Sequence, residues 1–336
     1  MFLQYYAFTN GALALILNLF LLYCIIQRSN RALGNYKHQM GFFCCSTIGF
    51  IICDVLTTPV VHVKDGYYII YTNNYFQLNK DVALWMLALC CSGFAIVTSN
   101  ITINFIYRFF AVCRPESLRF FKFPYVFIWL FFFIEMTSEW CICAAFFSAP
   151  DYIFDTAIKP EMESYFNLTR SEYIYVGAQF YKYGEEGEEF SVKDLLVTMN
   201  FVKMIAICNS IIIFCIFKIR MKITREGHSF SKKTIDLHKQ LFSAVLFQFI
   251  APEIVMFIPA CIMLLSPLVK AKIGPAEVLL LASIESYAII EPIGVVYFIK
   301  DYRQFLLKFF KFPRKRATVS TAVYSTQKQS FERSRV

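Results

Sequence analysis

The sequence predicts an all-α membrane protein, a seven-transmembrane helix bundle with the N-terminus outside and the C-terminus inside. Three observations predict it. The 336-residue chain holds seven apolar windows of membrane-crossing length, its basic residues crowd alternate loops, and it is 57% apolar with only 17% charged residues, far from the balance of a soluble domain. A helix rising about 1.5 Å per residue needs roughly 20 apolar residues to cross about 30 Å of hydrocarbon.

The windows are residues 5–26, 40–61, 82–105, 123–147, 195–217, 240–263 and 276–298. The first lacks a basic n-region and exceeds the apolar core of a signal peptide, so it reads as an uncleaved span. Orientation follows from Lys and Arg, which are retained on the cytoplasmic side. With the N-terminus outside, the inner segments carry 3, 4, 7 and 10 basic residues and the outer ones 0, 2, 4 and 2, with Lys203 alone inside a span. The net charge of +9 therefore faces anionic lipids and protein partners; nucleic acid is not implied.

The loops divide the chain further. Residues 1–312 form one receptor-like domain and 313–336 a disordered cytoplasmic tail, whose Thr318, Ser320, Thr321, Ser325, Thr326, Ser330 and Ser334 are open to phosphorylation. Lys218 to Lys239 can prolong helices five and six past the bilayer. After span seven, Phe305, Leu306, Phe309, Phe310 and Phe312 interleave with Arg303, Lys308 and Lys311, the composition of an amphipathic helix on the inner leaflet. The external segment from Pro150 to Asp194 is acidic and carries a glycosylation sequon at Asn167, which short sequons match by chance about as often as by function.

The twelve cysteines all fall in spans or at membrane edges. None lies in the second external loop, so no disulfide can staple it to helix three. They read as small buried hydrophobes. No cofactor is expected, because no glycine-rich phosphate loop and no zinc-ligand spacing occurs. His38, His62, His228 and His238 are all assigned to loops, which removes an intramembrane metal or Ser/His hydrolase. Seven unequal spans without duplication also disfavour a transporter.

Asp54, Glu139, Lys203, Glu253 and Glu285 sit seven to ten residues from the outer helix ends, about 10 to 15 Å deep. Charges at that depth face the bundle, pair or neutralise. Pairing of Lys203 with Glu285 or Glu253 is one expectation and contact with a ligand the other. Glu135 and Glu291 are deeper. Ligand sites combine an apolar wall with a few polar groups, so Trp85, Met86 and Phe257, with Asn200 as polar partner, join Lys203, Glu253 and Glu285 as candidate ligand contacts. Glu291 beside Pro292 is either a switch at a kink or simply the partner of polar groups around it.

Several stretches taken in order carry a family resemblance: Leu33-Gly34-Asn35-Tyr36-Lys37 after helix one, Tyr107-Arg108-Phe109-Phe110-Ala111-Val112-Cys113-Arg114-Pro115 after helix three, Gln248-Phe249-Ile250-Ala251-Pro252 with Pro259 in helix six, and Glu291-Pro292 leading to Lys300-Asp301-Tyr302-Arg303. The set resembles the nematode seven-transmembrane chemoreceptors of the Str type, over about residues 5 to 312. The resemblance implies a G-protein-coupled olfactory-type receptor in the plasma membrane of chemosensory neurons, with a sensory cilium as destination. Its partners would be a small odorant, a heterotrimeric G protein, membrane lipids and a trafficking chaperone.

Three departures stand out. Glu291 replaces a common Asp, Ala288 and Gly294 stand where prolines are frequent, and Glu253 occupies a usually apolar place. Tyr107 and Arg108 stand where rhodopsin-like receptors carry an acidic-Arg-Tyr triplet. Arg108 either engages a G protein once helix six moves, opening the face near Lys239, or sits at the headgroups. Two alternatives to a signalling receptor remain, a transporter or ligand-gated channel and a non-signalling assembly partner of another receptor.

Overall fold

The computed structural model describes residues 2–29, 36–73, 76–184, 187–226 and 232–310. Seven helical segments are long and apolar enough to cross a membrane. Span one is α1 (Phe2–Arg28) and span two is α2 (Tyr36–Thr57). Two strands follow, β1 (Val60–Lys64) and β2 (Tyr67–Thr72). Span three is α3 (Lys80–Cys91) and α4 (Gly93–Cys113), broken at Ser92, and span four is α5 (Val126–Ile142) ending in a π-turn at Cys143–Phe147.

Between spans four and five lie α6 (Tyr152–Ser164) and the strands β3 (Ile174–Gln179), β4 (Tyr181–Gly184) and β5 (Gly187–Phe190). Span five is α7 (Val192–Glu226). Span six is α8 (Lys232–Pro252), a π-turn at Glu253–Phe257 and α9 (Ile258–Leu265). Span seven is α10 (Ala276–Phe298), followed by α11 (Lys300–Phe310).

Several boundaries differ from the hydropathy windows. Span two begins at Tyr36 rather than 40 and stops at Thr57, because the last four residues of its window, Thr58 to Val61, belong to an irregular link and β1. Hydropathy measures apolarity and cannot tell a buried strand from the end of a helix. Spans five and six run well past their apolar cores, to Glu226 and from Lys232. The histidine assignment is also corrected, since His38 lies in the first turn of α2, His62 in β1 and His238 in α8. His228, Leu33 to Asn35, Glu185, Glu186 and the 313–336 tail lie outside the described residues.

The extramembrane sheet departs most from expectation. β1, β2 and β3 form an antiparallel sheet in that order, which joins the loop after span two to the loop after span four. Asp65 and Gly66 close the β1–β2 hairpin with positive φ of 20° and 97°, backbone that favours Gly at the second place. Side chains alternate between faces as a pleated strand requires. Tyr67, Ile69 and Tyr71 pack with Tyr175, Phe154, Ile158 and Met162 of α6, while Val61, Val63, Tyr68 and Ala178 pack with Met263 and Leu281 of the bundle.

Polar contacts fasten this layer. Lys64 pairs with Glu161 of α6, and Glu277 at the start of span seven accepts from the Val63 amide at 3.1 Å and sits 3.2 Å from His62 Nδ1. Lys182 lies 3.8 Å from Asp151 and 3.9 Å from Asp194. All twelve cysteines are free.

At the opposite end, α11 packs against span one. Phe305 stacks on Phe20 and takes Arg28 over its ring at 4.3 Å. Tyr302 is buried and shares a 2.7 Å hydrogen bond with Ser29. Burial pushes the Tyr302 hydroxyl up to about 12, so it remains protonated through the physiological range.

Gly294, standing where proline was expected to be frequent, has a packing reason. A Cβ there would lie 1.8 Å from the Phe247 ring, so spans six and seven approach at this point because the residue has no side chain. Gly294→Ala is expected to lower stability by about 1–3 kcal/mol through overpacking, and Phe247→Leu in the same chain should recover most of it. Thermal unfolding of the purified protein in nanodiscs checks both; an unchanged midpoint for Gly294→Ala would contradict the packing.

Candidate ligand-binding cavity

A cavity of about 100 Å³ lies beneath the sheet. The bundle face of the sheet roofs it with Val61, Tyr68, Ile70, Val176 and Gly177. Its walls come from Phe50 and Asp54 of span two, Cys90, Cys91 and Phe94 of span three, Trp140 and Ala144 of span four, Phe201 of span five, Ala260, Met263 and Leu264 of span six, and Leu281, Ile284 and Glu285 of span seven. Six spans therefore share one enclosure. A larger recess of about 550 Å³ at the opposite end is a groove among spans two, three and four; fewer elements enclose it, and no carboxylate lines it.

Local backbone features shape the enclosure. Both π-turns adjoin it, the one in span four carrying Ala144 and the one in span six placing Phe257 against Phe94 at 5.9 Å between ring centroids. Pro252 lacks an amide hydrogen, so it cannot close the regular helical bond to residue 248, and the chain passes into the π-turn directly after it. At the roof, the Gly177 amide donates to the Ser148 carbonyl at 2.8 Å. A Cβ on Gly177 would come within 2.3 Å of the Tyr68 carbonyl oxygen, so this strand position takes only glycine.

Two acidic residues, Asp54 and Glu285, are among the residues that line this apolar space. Among the described residues, Asp54 Oδ1 has only the Cys90 thiol as a donor, at 3.6 Å. Glu285 is buried, and its Oε2 has no hydrogen-bond partner. Its backbone carbonyl accepts from Asn10 Nδ2 at 3.1 Å, which fixes span one against span seven beside the cavity. Among the described residues, no Lys, Arg or His lies within 4 Å of either carboxylate.

The structure separates the residues singled out from depth alone. Glu285 lines the cavity and Phe257 is buried just below it. Lys203 pairs with neither Glu285 nor Glu253, contrary to expectation. Its ammonium donates to Asn200 at 2.6 Å and sits 4.0 Å from Glu139, on the outer face between spans four and five. Asn200 in turn donates to Glu139 at 3.1 Å, so both belong to that outer cluster. Glu253 accepts from Asn209 of span five at 2.9 Å. Trp85 is 44% exposed and packs edge-on against Phe146. Met86 is half-buried and does not line the cavity, and Glu135 is exposed on the outside of span four. Equal depth does not fix the helical face, and 100° per residue separates Asp54 from a lipid-facing neighbour.

Depth reasoning left Asp54 off the ligand contacts and missed every roof residue. A signal for the roof existed: Asp65-Gly66 is a two-residue hairpin turn, and Tyr67-Tyr68-Ile69-Ile70-Tyr71-Thr72 after it is rich in strand formers.

Nearer the opposite end, Gln248 Nε2 donates to Glu291 Oε1 at 2.7 Å, joining span six to span seven beside buried Pro292. Glu291 Oε2 and the Tyr287 hydroxyl have no partner. Arg108 is buried within the bundle. It is only 5% exposed, its guanidinium lies 3.7 Å over the Tyr36 ring, and its Nε and Nη2 have no hydrogen-bond partner. Tyr36 also stacks on Tyr107 at 5.6 Å. Lys239 is exposed on span six.

The family described as Serpentine type 7TM GPCR chemoreceptor Str matches residues 3–307. Serpentine receptor class r-10 of Caenorhabditis briggsae is 24% identical over 302 residues, covering 89% of this chain and 88% of that protein. The protein of the same description in Caenorhabditis elegans is 23% identical, covering 85% of this chain and 84% of its own. G-protein coupled receptor str-33 of Caenorhabditis elegans is 24% identical, covering 88% and 87%.

The placement of Lys203 makes a prediction. A charge on the outer face of a span costs about 2.5–3.5 kcal/mol near the bilayer centre, so Lys203→Met is expected to reach the cell surface at wild-type yield or better. Surface immunostaining of an epitope-tagged chain measures this. A yield below half of wild type would show that the contact with Glu139 is needed for folding.

Proposed function

Because the chain belongs to the Str family of serpentine seven-transmembrane chemoreceptors, we propose that it is a G-protein-coupled chemosensory receptor that binds a small odorant or soluble cue in the cavity beneath the sheet. It is a multi-pass membrane protein. The reading is carried by one observation above all: an apolar cavity walled by six spans is lined by two acidic residues that have, among the described residues, no cationic partner within 4 Å.

The proposed receptor has its N-terminus and sheet outside, following the distribution of basic residues. It works in the plasma membrane, with a sensory cilium as destination and a trafficking chaperone as helper, which the family supports by analogy. Asn167 is exposed on the sheet side, at a left-handed turn with φ of 54°, where a glycan can be attached. Helix α11, resting on span one with Leu307 and Lys308 exposed, lies along the inner leaflet in this reading.

The route to the inner face runs along span six. A ligand that binds one packing of the bundle more tightly shifts the population toward it. The π-turn after Pro252 adjoins the cavity, and the Gln248–Glu291 bond lies one turn further along the same helix. Movement of span six breaks that bond and presents Arg108 with Lys239 to a heterotrimeric G protein. The unpartnered Nε and Nη2 of Arg108 are then donors for backbone carbonyls.

Leu281→Trp fills the cavity and should abolish the response to any activating compound found on an odorant panel, while surface staining stays near wild type. Calcium imaging in cells carrying a promiscuous G protein provides the readout. An N-terminal tag should stain in intact cells and a C-terminal one only after permeabilisation. A full response from Leu281→Trp would sink the cavity as ligand site, and the inverse staining would sink the inward coupling.

A further inference from the structure

We propose that the cavity takes a small alkylammonium, held between Asp54 and Glu285; this rests on the reading of the cavity as the ligand site. Charge is the first argument. Two acidic residues from different spans, Asp54 and Glu285, line the same apolar cavity. Neither has a Lys, Arg or His within 4 Å among the described residues, and Glu285 Oε2 lacks any donor. A buried charge pairs or is strongly disfavoured. A ligand that brings a positive charge and several N–H donors supplies what both carboxylates lack.

The walls select an organic cation over a metal ion. Magnesium and calcium ask for six or more oxygen ligands, and no group of three or more metal-ligating residues exists among the described residues. The remaining wall is largely carbon and aromatic, with Phe50, Tyr68, Phe94 and Trp140 around the acids. Aromatic faces attract ammonium groups, and the apolar surface suits an alkyl chain. Size sets the upper limit. The cavity of about 100 Å³ is smaller than the roughly 150 Å³ apolar cavity that accepts benzene, so the occupant has about five non-hydrogen atoms. n-Butylammonium fits both limits, and 1-butanol is its neutral counterpart of equal size.

The test uses the full chain, purified in nanodiscs for thermal unfolding and expressed in cells for calcium imaging. n-Butylammonium is expected to raise the unfolding midpoint and to act at concentrations at least about tenfold below 1-butanol, the ratio that one charge-assisted hydrogen bond supports. Asp54→Asn and Glu285→Gln should each remove that preference. Without ligand the same variants should melt at or above the wild-type temperature, because no internal cation loses its partner. Variants that melt lower or fail to reach the surface would show that the carboxylates hold the fold, and would overturn the proposal. Equal or better binding of 1-butanol, lost in Leu281→Trp, would overturn the ammonium class and leave the cavity reading standing. Stabilisation by sodium chloride alone, or by neither probe, would also overturn it; the cavity reading is then decided by whether Leu281→Trp removes the response to the panel's own activator.

Discussion

The pairing of β2 with β3 is the constraint on which the cavity end of the molecule depends. It couples the loop after span two to the loop after span four through six register pairs, from Tyr67 with Gln179 to Thr72 with Ile174. Net contributions of about 0.5–1.5 kcal/mol per hydrogen bond make such a ladder comparable with the roughly 2–4 kcal/mol of a disulfide. The register also decides which side chains face inward. A slip of β3 by one residue would turn Val176 away from the cavity and bring Tyr175 toward it. The sheet thus supplies both the fastening and the roof in a chain whose sheet-side loops contain no cysteine.

The sheet holds its register because both faces are covered. On one side the aromatic cluster with α6 buries Tyr67, Tyr71 and Tyr175, and the Tyr175 hydroxyl donates to Asp155 at 2.9 Å. On the other, Tyr68 and Ala178 meet Met263 and Leu281 of spans six and seven. The roof is consequently packed against the same two spans that meet again at Gln248–Glu291 and at Gly294–Phe247. Proline and the π-turn interrupt span six between these two contacts, and such interruptions concentrate bending where the regular hydrogen-bond ladder is missing. A change at the roof and a change at the opposite end of the bundle therefore share a helix with a bend between them.

Much of this architecture was legible in the sequence. Seven spans follow from hydropathy because lipid leaves a helix no alternative for its backbone, and Ala276 to Phe298 was located to the residue. Which charges meet was not legible. Asp54, Glu139, Lys203, Glu253 and Glu285 share a depth, yet helical rotation puts Asp54 and Glu285 in the cavity, Glu139 and Lys203 on the outside, and Glu253 against Asn209. The burial of Arg108 was not legible for a related reason, since it depends on Tyr36 from another helix. The sheet was readable from Asp65-Gly66 and the strand-forming run after it, but its partner, Ile174 to Gln179, becomes evident only from long-range pairing.

The central claim is that the enclosure beneath the sheet, with Asp54 and Glu285 on its wall, is where an activating compound sits. An electron cryomicroscopy map of the receptor bound to an activator from the odorant panel tests this most directly. The account predicts ligand density under Ile70 and Val176, in contact with Leu281 and within hydrogen-bond distance of Asp54 or Glu285. Density instead at the outer cluster of Glu139, Asn200 and Lys203, or in the groove near Trp129 and Lys122, with the enclosure empty, would contradict it.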